Sequence, residues 1–200
     1  MTEARIGRLL GACLHEAIGE VLPQRLDFYE HWLHSDGLRD GTIGLAPITA
    51  VIGFLRTEGQ AYDAVVVRAG ELAAQWSVQS MPAVRRRTIR WLPRRLRARA
   101  ALRLAAGVVR SVSSHSRASS RVRRQQARFR VASSLFCAVR EAAHAPLCGF
   151  YVGVATKTLA EFGVAARGRV DECRALGGTT CVITLDIGAA GAASGPALAA

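Results

Sequence analysis

The feature that most constrains this chain is a change of hydrophobic period part-way along it. Upstream, apolar residues recur at helical steps. Tyr62, Val65, Ala69, Leu72 and Trp76 follow a 3-4-3-4 spacing, one face of a core-facing helix. Ile6, Leu9, Cys13, Ala17 and Val21 do the same ahead of Pro23, which makes Cys13 a small core residue. Asp36–Gly41 reads as a loop, and Pro47 opens a helix that runs through Leu55. Downstream the period becomes two: Ala127, Phe129, Val131 and Ser133 alternate with Arg128 and Arg130, the pattern of a half-buried strand.

Between these regimes, Leu92, Leu96, Ala100 and Leu104 define a helix with Pro93 in its first turn. Val108–Ser113 is expected to be a strand paired with 127–133 through the polar turn SSHSRASS. A helix over Ser134–Ala143, a second from Leu147 to Phe162, and strands near Arg167–Arg174 and Thr180–Ile187 complete the pattern. This order predicts an α+β fold: N-terminal helices packed on a small four-stranded antiparallel sheet, with two helices between its hairpins. Residues 1–106 form the helical part, 107–188 the sheet-and-helix core, and the low-complexity stretch 189–200 a disordered tail.

Half of the residues are apolar, enough for a core that needs no disulfides. The first twenty residues lack an uninterrupted apolar stretch, so they do not read as a secretory signal. The longest apolar run, Ile43 to Leu55, falls short of the ~20 residues that cross a bilayer. The expected location is the cytoplasm, where thiols stay reduced and clustered cysteines are more often metal ligands than disulfide partners.

The formal net charge is +12, and its distribution is uneven. No acidic residue occurs between Glu71 and Glu141, while sixteen arginines fall within Arg85–Arg130. Such a block can bind nucleic acid or an anionic membrane surface. The simpler reading is a solvated face whose aliphatic stems cover apolar surface.

Four of the five cysteines, Cys137, Cys148, Cys173 and Cys181, lie in the sheet-forming half. Cys173 and Cys181 stand at the two ends of a hairpin turn, so their thiolates can meet one ion. Four thiolates suit a tetrahedral zinc site with Zn–S near 2.3 Å and no open position, hence structural rather than catalytic. A three-cysteine set completed by Glu141, His144 or Glu172 is the alternative, and four semi-buried reduced thiols the plainest one.

The run SSLFCAVREAAHAPLCGFYVGVATKTLAEFG followed by RGRVDECRALGGTTCVITL resembles the 4-vinyl-reductase domain family over about Gly107–Ile187. Its most specific element is Glu172-Cys173, a small-residue turn, then Cys181 opening the last strand; Cys148 before GFY is the second. The family shares a fold with TRAPP transport-particle subunits that enclose an acyl chain, and recurs in the sensor region of phenol-responsive regulators. In those sensors three cysteines and a glutamate hold zinc. The resemblance carries the cysteines to Cys148, Cys173 and Cys181, and puts Cys137 near the place of the glutamate, with Glu141 as its substitute. It also implies a hydrophobic pocket between helices and sheet, for which Trp91, Phe129, Phe136, Phe150, Tyr151 and Val154 are the candidates, with His115 and His144 as polar contacts.

These readings converge on a non-catalytic module that binds a small hydrophobic or aromatic ligand and carries a structural Zn2+. Its output would pass to a partner protein or to a second copy in a homodimer. An enzyme or accessory of tetrapyrrole vinyl-group reduction is the alternative, yet the sequence shows no Gly-rich dinucleotide fingerprint and no convincing acid–base pair. A nucleic-acid-binding protein acting through Arg85–Arg130 is a further one.

Overall fold

A computed structural model describes residues 7–33, 45–139 and 143–188. Ile6, the Asp36–Gly41 loop, Glu141 and the 189–200 tail lie outside them. The helices are α1 (Arg8–Val21), α2 (Leu26–Glu30), α3 (Leu45–Thr57), α4 (Gln60–Gln79), α5 (Ala83–Trp91) and α6 (Arg94–Val112). The hairpin β1 (Arg117–Arg123) and β2 (Gln126–Ala132) follows, then α7 (Gly149–Glu161), β3 (Ala166–Glu172) and β4 (Cys181–Ile187). Among the described residues no helix is long and apolar enough to cross a membrane.

The expected α+β architecture is present, with a four-stranded antiparallel sheet in the order β1-β2-β4-β3. The strand that comes last in the chain therefore lies at the centre of the sheet, paired with β2 on one side and β3 on the other. Phe129 faces Ile183 and Val131 faces Cys181 across the β2–β4 ladder, so one face of the sheet is apolar. That face packs on α7 through Phe150, Tyr151, Val154 and Leu159, all buried. On the opposite side α7 lies against α4, and α4 against α1, giving a layered stack with one continuous core.

The α4–α7 contact is backbone on backbone. A methyl group on Gly70 would sit 2.1 Å from the Phe150 carbonyl oxygen, and one on Gly153 would sit 2.2 Å from that of Val67. Glycine at both positions lets the two helices approach closer than side chains permit.

Four local expectations are corrected. Val108–Ser113 is not a strand: α6 continues through Val112 because Val108, Val109 and Val112 lie on its buried face. The first strand is instead Arg117–Arg123, within what reads as a polar turn; it is an edge strand, so alternating arginine and serine suffice. Leu92, Leu96, Ala100 and Leu104 are not the core stripe of α6. Its buried face is the smaller set Ala98, Ala101, Leu102 and Ala105, which admits close packing, and Leu96 is exposed. The stretch expected to be a helix from Ser134 is a turn through Val139, where the Ser134 hydroxyl accepts a hydrogen bond from the Cys137 amide at 3.2 Å and so competes with helical bonding. One helix rather than two thus separates the hairpins among the described residues. Residue 107, the expected start of the second half, falls inside α6.

Candidate metal centre

Each of the four clustered cysteines is placed by a different local device. Cys137 ends the turn after β2, and Cys148 is the residue immediately before α7. Cys173 follows β3 and precedes a short 3₁₀ turn, Arg174–Leu176, which closes on Gly177 at φ 90°, a left-handed conformation that glycine adopts without strain. Cys181 opens β4. The strands and the helix converge at one end of the sheet, and the four Sγ atoms lie within 4.8 Å of one another. Cys137 Sγ is 3.5 Å from both Cys173 Sγ and Cys181 Sγ.

A tetrahedron of sulfurs about 2.3 Å from a zinc ion has edges of about 3.8 Å, so the spacing fits such an ion with little movement. All four thiols are buried. The set is soft, complete and closed, and could hold a metal without leaving a position for water or substrate.

The surroundings suit negative charge at sulfur. The Leu147 amide donates to Cys173 Sγ at 3.4 Å, and Cys148 sits at the positive end of α7. Hydrogen bonds from the Cys137 and Cys148 thiols hold the Cys181 thiol down at about 3. The same bonds, first to Cys137 and then to Cys181, together with burial, push Cys148 far up. Cys137 is pulled down by Cys148, but its bond to Cys181 and burial outweigh this and leave it at about 12. The bonds among the thiols thus favour the thiolate at Cys181 and the thiol at Cys137 and Cys148.

Two residues whose role at this site has no signal in the sequence support this end of the sheet. Arg56 on α3 donates to the Phe136 carbonyl at 2.7 Å, one peptide unit from Cys137, and its Nε is buried with no partner. Tyr62 on α4 donates to the Leu147 carbonyl at 2.9 Å, next to Cys148. Both act across some eighty positions of chain, a separation that periodicity cannot reveal. Of the alternatives for a fourth ligand, His144 and Glu172 are exposed and outside the cluster, and Glu141 lies outside the described residues.

The aromatic candidates are partly assembled. Phe136 and Phe150 stack at 4.7 Å, and Tyr151 meets both edge-on at 5.8 and 5.5 Å. Phe129 and Val154 are buried in the same core. Trp91 is 78 % exposed at the end of α5, with the Arg87 guanidinium 5.6 Å over its ring. It lines no pocket with the other five, since the cation–π contact lets the indole stay at the surface. His115 is exposed as well. A crevice missed by sequence reasoning, about 250 Å³, opens between α4, α6 and α7, with Val78, Met81, Leu104 and Val108 beside Ser77 and Thr158.

No protein-family profile and no curated protein matches the chain, so the 4-vinyl-reductase resemblance rests on the motifs quoted above. Solved structures do match. The phenol-responsive sensory domain of the transcription activator PoxR, with phenol, superposes with a TM-score of 0.52 at 18% identity, over 72% of this chain and 74% of that one. The chain shares its fold with a phenol-sensing domain. A mutant H-NOX protein from K. algicida, in its Fe(II) unliganded form, superposes with a TM-score of 0.57 at 11% identity, covering 91% of this chain and 96% of that one.

Proposed function

We propose that this chain is a non-catalytic sensor or carrier domain for a small hydrophobic or aromatic molecule, held in shape by a structural zinc ion on Cys137, Cys148, Cys173 and Cys181. The observation that carries the reading is adjacency. Phe136 precedes Cys137, and Phe150 and Tyr151 follow Cys148, so the residues that would hold the ion also anchor the ring cluster. Bound there, the ion supplies a closed crosslink and no reactive position. Arg56, held at the Phe136 carbonyl with its Nε buried and unpartnered, would help balance the net negative charge of four thiolates around a divalent cation.

The ligand site is the ring cluster between α7 and the sheet, where an aromatic guest would part the Phe136–Phe150 stack. Occupancy would shift the population of α7 positions, which a partner protein or a second copy reads. The shared fold with a phenol-sensing domain supports this reading, as does the 4-vinyl-reductase resemblance. Iron is the second metal that a four-thiolate tetrahedron accepts, and metal analysis distinguishes the two.

The test is native mass spectrometry of the purified chain, together with a thermal-shift screen of phenols and other small aromatics. One zinc per chain, lost in Cys173→Ser along with stability, and a melting temperature raised by an aromatic are the expected results. A metal-free, stably folded protein that no hydrophobic probe shifts overturns the proposal.

A further inference from the structure

The arginine block does not spread evenly over the surface. On α6, Arg95, Arg99, Arg103 and Arg110 follow spacings of four, four and seven, which puts them on one face over about 22 Å. Arg121 and Arg123 of the edge strand β1 line the same groove, and Arg124 continues the line into the turn. Between helix and strand runs a trough of about 740 Å³, and Val122 also lines a neighbouring recess of about 240 Å³. None of these seven guanidinium groups meets a hydrogen-bond acceptor or a carboxylate among the described residues.

This arrangement works against the isolated fold. Arg121 stands directly opposite Arg128 in the β1–β2 ladder, a like-charge pair that destabilises a sheet. The carboxylates that pair with arginine lie on other parts of the chain: Glu58 with Arg25, Glu20 and Glu71 with Arg68, Asp171 and Asp186 with Arg169. Among the described residues no carboxylate lines the trough, which gathers seven arginines into one groove, and an external polyanion would supply their partners.

The lining narrows the choice of polyanion. Its uncharged lining is Ala106, Ala118, Ser119, Ser120 and Val122, small side chains that make no deep apolar recess for those of a peptide. A bilayer presents a flat surface and rewards exposed apolar anchors, but Trp91 and Leu96 lie outside the trough. Serine hydroxyls beside arginine forks are instead the usual contacts of a phosphate backbone. No aromatic ring lines the trough to stack a base.

We infer that the α6–β1 trough is a nucleic-acid site that grips one phosphate backbone and does not read its sequence. With seven arginines along it, the groove can neutralise about six phosphates. This site is separate from the thiol cluster, and its test does not depend on metal or ligand.

The experiment is fluorescence anisotropy of the full chain with two duplexes of unrelated sequence, each about 20 base pairs, from about 50 to 200 mM salt. Six neutralised phosphates give a log–log slope of about −5 and a loss of about 10³-fold across that range. The two duplexes should bind within about threefold of each other. Arg99→Ala/Arg103→Ala and Arg121→Ala/Arg123→Ala should each flatten the slope by about 2. The charge-matched control Arg8→Ala/Arg167→Ala, on exposed arginines outside the trough, should leave it unchanged. Three results overturn the inference: no binding at the lowest salt, equal weakening by the control, or binding to anionic phosphatidylglycerol vesicles or polyglutamate in place of the duplex.

Discussion

Gly70→Ala should destabilise this protein although it adds a good helix former to a helix interior. The new methyl would lie 2.1 Å from the Phe150 carbonyl oxygen and 3.0 Å from the Val154 amide nitrogen, where real contacts stop at 3.0 Å. Both obstacles are backbone atoms of α7, so no side chain can swing aside, and α4 and α7 must separate by roughly 1 Å. A gap of that size forfeits about a quarter to a half of each dispersion contact across the crossing. Overpacking of this kind costs about 1–3 kcal/mol and occasionally more; the helix-propensity gain of about 1 kcal/mol offsets part of it. The expected net loss is about 2 kcal/mol, read as a lower urea midpoint at unchanged slope. Gly53→Ala on α3 is the matched comparison: nothing lies within 4 Å of its added methyl, so the same substitution should stabilise by about 0.5–1 kcal/mol. Because Cys148 rides on the displaced end of α7, Gly70→Ala should also weaken metal binding at the proposed four-cysteine site about tenfold. A Gly70→Ala protein as stable as Gly53→Ala would refute the backbone-contact argument.

Other consequences follow from the same end of the molecule. The bonds among the thiols and burial raise Cys137 and Cys148, so an incoming metal must displace at least their two protons. Its affinity should fall by at least about 100-fold for each unit of pH lost near neutrality, with at least about two protons released per ion in calorimetry across buffers. A fall under about tenfold on lowering the pH by one unit from mildly alkaline solution contradicts the assignment of those protons. Tyr62→Phe removes the donor to the Leu147 carbonyl and leaves that buried oxygen unpaired, a loss of about 1–2 kcal/mol in chemical denaturation. A neutral substitution there means that the hydroxyl does not hold the approach to α7.

The sequence conveys this fold best where one physical term dominates. Period 3.6 in Tyr62–Trp76 and period 2 in Ala127–Val131 both report burial of one face, and both elements form where expected. The second hairpin is equally legible, because two strands flank a glycine-bearing turn. Errors arise where size or charge overrides hydrophobicity. On α6 large leucines give way to alanines because close approach favours small side chains, and Trp91 stays outside because a guanidinium covers its ring. Strand β1 is hidden by its arginines and serines, which an edge tolerates and a central strand would not. At the candidate site the four cysteines are visible in the sequence and their meeting place is not. Spacing says which side chains are soft, and only the β2–β4 pairing brings Cys137 to Cys181.

The position of β4 between β2 and β3 also governs how the protein is made. The β1–β2 hairpin leaves the ribosome long before its inner neighbour, with Ala127, Phe129 and Val131 uncovered on one face and the β2 edge unpaired. Nothing local can satisfy that edge, because its partner begins at Cys181. Until β4 emerges, the nascent sheet remains two separate pieces and the thiols have no common centre. Closure of the sheet and gathering of the thiols then happen in a single late step. A nascent chain halted short of Cys181 should therefore be a target for chaperones and proteases, whatever the state of its helices.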